Sequence, residues 1–253
     1  MRSIRRPKLV GTVVGVVLLA ILVRYVSWER DAPKGLVWMK PSELAQYIQP
    51  GPLTLLGYKI LRLPGPFWGW YMKVREQILI ETRLLALTGE AAQQAELPSE
   101  CQTNEDGARA WILSAEQLAS MKQQLKALSG VSVAHSLSLR TYDGGQTTQF
   151  AGGAPWTSKS NSTFIGLTID LLPRVVGRSF NVLLGATSTD SGLSPDGTIV
   201  GATTNLTAAC KVLLPNGGGL VMDGGTGRDS HRTNYWFIIS IVAVDARGTP
   251  KKL

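Results

Sequence analysis

Alternation of apolar and polar positions dominates the second half of the chain and predicts strands. Ile165, Leu167, Ile169 and Leu171 fall on one face of an extended segment, with Gly166, Thr168 and Asp170 on the other. Gly177-Arg178 turns the chain, and Phe180, Val182 and Leu184 repeat the period. Upstream, Val131 to Leu139 alternates large and small residues, and Asp143-Gly144-Gly145 turns it toward a return strand over 146–150. A small-residue loop follows at Ala151-Gly152-Gly153-Ala154-Pro155. The stretch 188–197, rich in Ser, Asp, Gly and Pro, reads as a polar loop before a long strand over 198–212. The run Cys210, Val212, Leu213, Leu214 is separated from Leu220-Val221-Met222 by Pro215-Asn216-Gly217-Gly218-Gly219. Asn and Gly tolerate positive φ, so Asn216-Gly217 predicts a hairpin turn. The closing run 235–244 is aromatic and β-branched, which suits a buried strand. From residue 131 onward the pattern predicts a meander of antiparallel hairpins, with no helix left to cover both faces.

One helix stands out. Ser114-Ala115-Glu116-Gln117 is a capping-box pattern, Leu118, Met121, Leu125 and Leu128 line one face, and Gly130 supplies the stop. Residues 77–87 fit both periods, and their β-branched content favours a strand. Residues 88–110 are polar and read as an exposed loop. Over 29–75, prolines at 33, 41, 50, 52, 64 and 66 exclude long regular elements. A short helix over 41–48 and a strand over 53–63 are the local structure this Pro-rich connector allows. The cluster Phe67, Trp68, Trp70 and Tyr71 is read as a lid over the domain core, with a membrane contact or subunit interface as the alternatives.

The N-terminus adds a membrane question. Residues 1–8 form a basic tip with Arg2, Arg5, Arg6 and Lys8, followed by an apolar stretch from Leu9 to Val23. Arg24 can snorkel, and Tyr25 and Trp28 suit the interface, so residues 9–28 (Leu9 through Trp28) predict a transmembrane anchor in contact with the lipid bilayer. A cleavable signal peptide is the rival; the sequence around Arg24 to Trp28 offers a poor cleavage site. Twin-arginine and pilin-type signals fit less well, because Pro7-Lys8 follows Arg5-Arg6 and no Glu follows Gly11 in the apolar helix. The expected placement is single-pass in a bacterial inner membrane, with the C-terminal domain outside the cytoplasm.

Charge narrows the partner classes. The formal net charge is +8, but residues 1–40 hold eight Lys/Arg against two Asp/Glu, leaving a net of only +2 over 41–253. The folded part therefore lacks the clustered basicity of a nucleic-acid-binding face, and no nucleic-acid partner is expected. Cys101 and Cys210 are the only cysteines. Cys210 lies in an apolar strand pattern, where a free buried thiol is the usual state.

In order and spacing these motifs resemble the β-domain of the secretins, the ring-forming outer-membrane proteins of type II and type III secretion and pilus export. The resemblance rests on Gly130-Val131-Ser132-Val133, Thr141-Tyr142-Asp143-Gly144-Gly145-Gln146 and Ile165 through Pro173. Leu214-Pro215-Asn216-Gly217-Gly218, Asp223-Gly224-Gly225 and Phe237-Ile238-Ile239-Ser240-Ile241 complete it. It covers roughly residues 76–245. Two departures stand out: Leu137 where the family has proline, and Ser240-Ile241 where it has Thr-Pro. The segment before residue 76 is also too short for the family's stacked N-terminal modules. The resemblance implies the family's fold more than its pore.

Candidate chemistry is sparse. His135, on the apolar face of a strand, reads as a core histidine. Asp229-Ser230-His231 has triad residue types, but neighbours in one loop cannot by themselves form nucleophile–base–orienter geometry. Asp170 reads as a solvated acid. Two histidines and two distant cysteines do not make a zinc site. The glycine runs at 217–219 and 224–227 lack the following Lys-Ser/Thr of a phosphate cradle. The expectation is thus a mainly β protein with one packed helix (α+β). Its parts are a tip over 1–8, an anchor over 9–28, a connector over 29–75, a secretin-like β-domain over 76–248 and a tail over 249–253. It is expected to be non-enzymatic, without catalytic, cofactor-binding or metal-binding residues, and to associate with itself or with envelope proteins. The rivals are a pore-forming secretin subunit, a sensor binding ligand in loops 151–162 and 188–197, and a hydrolase using Ser230 or His231.

Overall fold

A computed structural model describes residues 32–48, 76–151, 155–157, 162–164, 166–193, 199–226 and 233–253. The elements are β1 (Leu36–Trp38), α1 (Pro41–Ile48), β2 (Gln77–Leu87), α2 (Gly89–Gln94), β3 (Gln102–Thr103), β4 (Arg109–Leu113), α3 (Ala115–Ala127) and β5 (Val131–Tyr142). There follow β6 (Thr147–Ala151), β7 (Pro155–Thr157), β8 (Ser162–Phe164), β9 (Gly166–Val176), β10 (Ser179–Leu193), β11 (Ile199–Pro215), β12 (Gly219–Thr226) and β13 (Asn234–Val244). The expected anchor over 9–28, the strand over 53–63, the aromatic cluster at 67–71 and the loop holding Ser230 and His231 lie outside the described residues.

Among the described residues all strand pairs are antiparallel, and the strands build two main sheets. One has five strands in the order β1-β11-β10-β9-β6, the other six in the order β3-β4-β12-β13-β2-β5, and β7 pairs with β8 as a separate ribbon. The inward positions of both sheets meet in one core. Leu167, Ile169, Leu171, Phe180, Val182, Leu184, Val212 and Leu214 come from the first; Ile78, Ile80, Leu84, Leu220, Phe237, Ile239 and Ile241 come from the second. The period-2 pattern read from the sequence is what produces these two faces. Each such buried side chain contributes about 1.5–3 kcal/mol before conformational entropy is charged against it.

The outer face of the six-stranded sheet is covered by α3. Leu118, Met121 and Leu125 pack on Leu85, Leu87, Trp111, Leu113, Val221, Trp236 and Ile238. The predicted capping box is present: Ser114 Oγ accepts from Gln117 N at 3.2 Å, and Gln117 Oε1 accepts from Ser114 N at 2.9 Å. On the far side, Leu44 of α1 packs on Leu183 and Ala209 of the five-stranded sheet. Helices therefore sit on both outer faces, the capped helix on one and the short helix over 41–48 on the other, where no helix was expected to be left to cover both.

Two predicted hairpins are crossings between sheets. β11 belongs to the five-stranded sheet and β12 to the six-stranded one, so Asn216-Gly217 carries the chain from one layer to the other. Gly217 has φ +81°, its N–H donates to Ile241 O at 2.9 Å, and Ile241 N–H donates to Gly218 O at 3.1 Å. The turn is thus fastened to β13 instead of closing a ladder between β11 and β12. The Asp143 turn likewise leads from β5 in one sheet to β6 in the other. There Asp143 Oδ1 accepts from Val175 N at 2.9 Å and Gly144 N–H donates to Pro173 O at 2.7 Å. Turn chemistry dictates that the chain reverses; it does not dictate which sheet receives the next strand. The reversals between β9 and β10 and between β10 and β11 are true hairpins.

Three further expectations are corrected. Residues 88–110 are not one loop: they hold α2, capped by Thr88 Oγ1 accepting from Ala91 N at 3.2 Å, and the start of β4. The polar stretch 188–197 is mostly strand, because β10 runs to Leu193 and β11 starts at Ile199; register shifts after Ser188 and Gly192 absorb the irregular sequence. Finally, the Pro-rich connector contributes β1 to the edge of the five-stranded sheet, with Leu36 opposite Val212 and Trp38 opposite Cys210.

Candidate functional site

The sheets are stacked so that their edges form two flanks. On one, β1 and β3 lie close together, since a Cβ on Gly35 would come 3.0 Å from Gln102 Nε2. On the other, β5 and β6 are joined by the 143–146 turn. Among the described residues no strand pairs with the outer side of any of these four edges. Edge strands present unpaired N–H and C=O groups that can template the addition of another strand.

Side-chain exposure marks the same edges. The exposed large apolar residues among those described are Val37, Val133 and Phe150, at 52%, 56% and 56% exposure. Val37 lies on β1, Val133 on β5 and Phe150 on β6. In register, Val37 stands opposite Lys211 and Phe150 opposite Thr168, which places both on the outer face of the five-stranded sheet at its two ends. Such residues sit poorly in water and well against a neighbouring strand. β5 also carries a register shift between its His135 and Val133 pairings, a bulge of the kind that re-aims an edge. Val37 and Val133 belong to a pattern legible in the sequence only once the edges are known, because isolated valines do not announce exposure.

Of the residues weighed for chemistry, His135 is half-buried on edge strand β5, and the core-histidine reading is corrected accordingly. Asp170, on β9, accepts a 2.5 Å hydrogen bond from Thr148 Oγ1 of the adjacent β6, so it ties two strands together and is not simply solvated. Both cysteines are free; Cys101 is exposed, and burial pushes the Cys210 thiol up to about 12. Among the described residues no group of three or more His, Cys, Asp or Glu side chains could hold a metal. Loops 151–162 and 188–197 lie partly outside the described residues.

The polar cluster that sequence reasoning missed joins α3 to its sheet. Lys122 Nζ donates to Ser240 Oγ at 3.2 Å and lies 3.6 Å from Glu81 Oε2, while Ser240 Oγ donates to Glu81 at 3.5 Å. Partial burial lowers the Lys122 pKa, Glu81 opposes that shift and Arg83 adds to it. Its residue types include a hydroxyl and a base. With Ser240 as acceptor from the ammonium and donor to the carboxylate, the arrangement seats the helix.

These features define a two-sheet antiparallel β-protein with open edges. No family profile matches the chain, and no curated protein is similar to it. Among solved structures it is similar to a type II secretin of enteropathogenic Escherichia coli, with 12% identity and TM-score 0.37 over 73% of this chain and 76% of that one. An ETEC pilotin–secretin complex gives 12% identity and TM-score 0.36 over 93% of this chain and 67% of that one. The type II secretion system secretin of E. coli K12 gives 13% and 0.34, and the alignment spans 59% of that protein. The likeness is distant, and the architecture stands on the strand pairings themselves. No described helix is long and apolar enough to cross a bilayer, and the single-pass inner-membrane placement is withdrawn because nothing in the described residues supports it.

Proposed function

We propose that the chain is a non-catalytic structural component of an envelope secretion assembly, and that copies of it associate through their open sheet edges. The observation that carries this reading is the placement of Val37, Val133 and Phe150, the exposed large apolar residues, all on edge strands. The β1 and β6 edges differ and lie at opposite ends of one sheet, so pairing β1 of one copy with β6 of the next is heterologous. Such contacts repeat into a ring when the rotation closes. The motif order that resembles the secretin β-domain supports the envelope setting.

Size measurement of the full chain in mild detergent tests the proposal. Wild type is expected to run as a multimer, and the double variant Val37→Lys/Phe150→Lys as a monomer that keeps its β-sheet circular dichroism. A wild-type monomer at high concentration, or a multimer indifferent to both lysines, would reject it.

A further inference from the structure

A groove of about 290 Å³ runs between α3 and the segment 96–98. Its floor is apolar, with Leu113 and Met121 fully or almost fully buried and Leu97 half-buried beside them. The far wall is fixed in place because Trp111 Nε1 donates to Pro98 O at 2.9 Å. The rim is polar: Ser120, Gln124 and Glu96 line it.

The electrostatics of that rim are one-sided. Gln124 Nε2 donates to Glu96 Oε2 at 3.1 Å, which fixes the amide so that its oxygen is the remaining group. That oxygen is buried and has no donor among the described residues. Glu96 forms no ion pair among the described residues, and neither do Glu100, Glu105 and Asp106. These four acids stand within residues 96–106, where there is no Lys or Arg. Arg109, the next basic residue, is held by Asp223 at 2.5 Å. An unpaired carboxylate beside an apolar floor asks for a donor-rich cation on an aliphatic stem.

We infer that this groove docks an arginine side chain presented by a partner protein, its stem along Leu97 and Met121 and its guanidinium on Glu96. Arginine suits the site because its planar fork can hold a carboxylate through two parallel hydrogen bonds while its methylenes cover apolar surface. The negative field of the 96–106 segment draws a basic partner surface toward the groove before contact is made. This site lies on the helix-covered face and does not depend on the edge association proposed above.

The test uses the full chain labelled with ¹³C at its methionine methyls, of which Met121 lines the groove and Met222 lies in the sandwich core. N-acetyl-arginine amide is titrated against its uncharged citrulline analogue. The expected result is a saturating shift of the Met121 methyl with arginine while Met222 stays still, about ten-fold weaker with citrulline and in Glu96→Gln. Glu96 is exposed, so the variant folds, and an unmoved Met222 signal verifies it. No response at Met121, an equal response to citrulline, or a response unchanged in Glu96→Gln overturns the inference.

Discussion

Asn216 Oδ1 accepts a hydrogen bond from Ala243 N at 2.9 Å, across from the end of one sheet to the last strand of the other. The same side chain donates through Nδ2 to Lys251 O at 2.8 Å, and Lys251 is also ion-paired with Glu76 at the start of β2. One amide therefore joins the layer crossing, the central strand of the six-stranded sheet and the C-terminal segment. Asn216→Ala leaves the fully buried Ala243 N–H without its partner and should destabilise by about 2–3 kcal/mol in urea unfolding. Asn216→Asp keeps the acceptor and loses only the bond to Lys251, so it should cost about 1 kcal/mol. Equal losses in the two variants would contradict the assignment of roles.

Asn181 presents the opposite case. It is fully buried on β10, in register with Leu213 and Arg174, and among the described residues neither Oδ1 nor Nδ2 has a hydrogen-bond partner. An amide desolvated without compensation is a net cost, so Asn181→Leu, close in shape, should stabilise the fold by about 1–2 kcal/mol. The midpoint of chemical denaturation reads this directly. A loss of stability would mean that the amide is bonded in solution.

Cys210 gives a pH prediction with a definite sign. Burial alone raises its thiol from 9.0 to about 12, so the folded chain holds the proton where the unfolded chain releases it. Its contribution is fully present below pH 9 and is lost as pH rises from 9 toward about 12. Cys210→Ala should therefore lose less stability than wild type over that window, although it is less stable at neutral pH. Maleimide at neutral pH should label exposed Cys101 at once and Cys210 only as fast as the protein unfolds.

What could be read from sequence was whatever depends on near neighbours. The two-residue period of Leu167, Ile169 and Leu171 fixes their burial because strand geometry is local, and Ser114 with Gln117 forms its cap within one turn of helix. The partition into two sheets depends on distant partners, so Asp143-Gly144 and Asn216-Gly217 looked like ordinary hairpin turns. Leu36 to Trp38 was missed because a three-residue edge strand surrounded by prolines has no period of its own. Glu96 was visible as a residue but not as part of a groove, since its meaning comes from the α3 wall facing it and from the engagement of Arg109 elsewhere.

The position of β13 between β12 and β2 has a consequence for biosynthesis. Both neighbours leave the ribosome before it does, and β6, β9, β10 and β11, four of the five strands of the other layer, can zip up from consecutive segments while β2 waits. Until Asn234 onward emerges, β2 and β12 have a gap between them where a strand of another nascent chain could lodge. The vulnerable moment for this molecule is thus the interval just before its final strand is delivered.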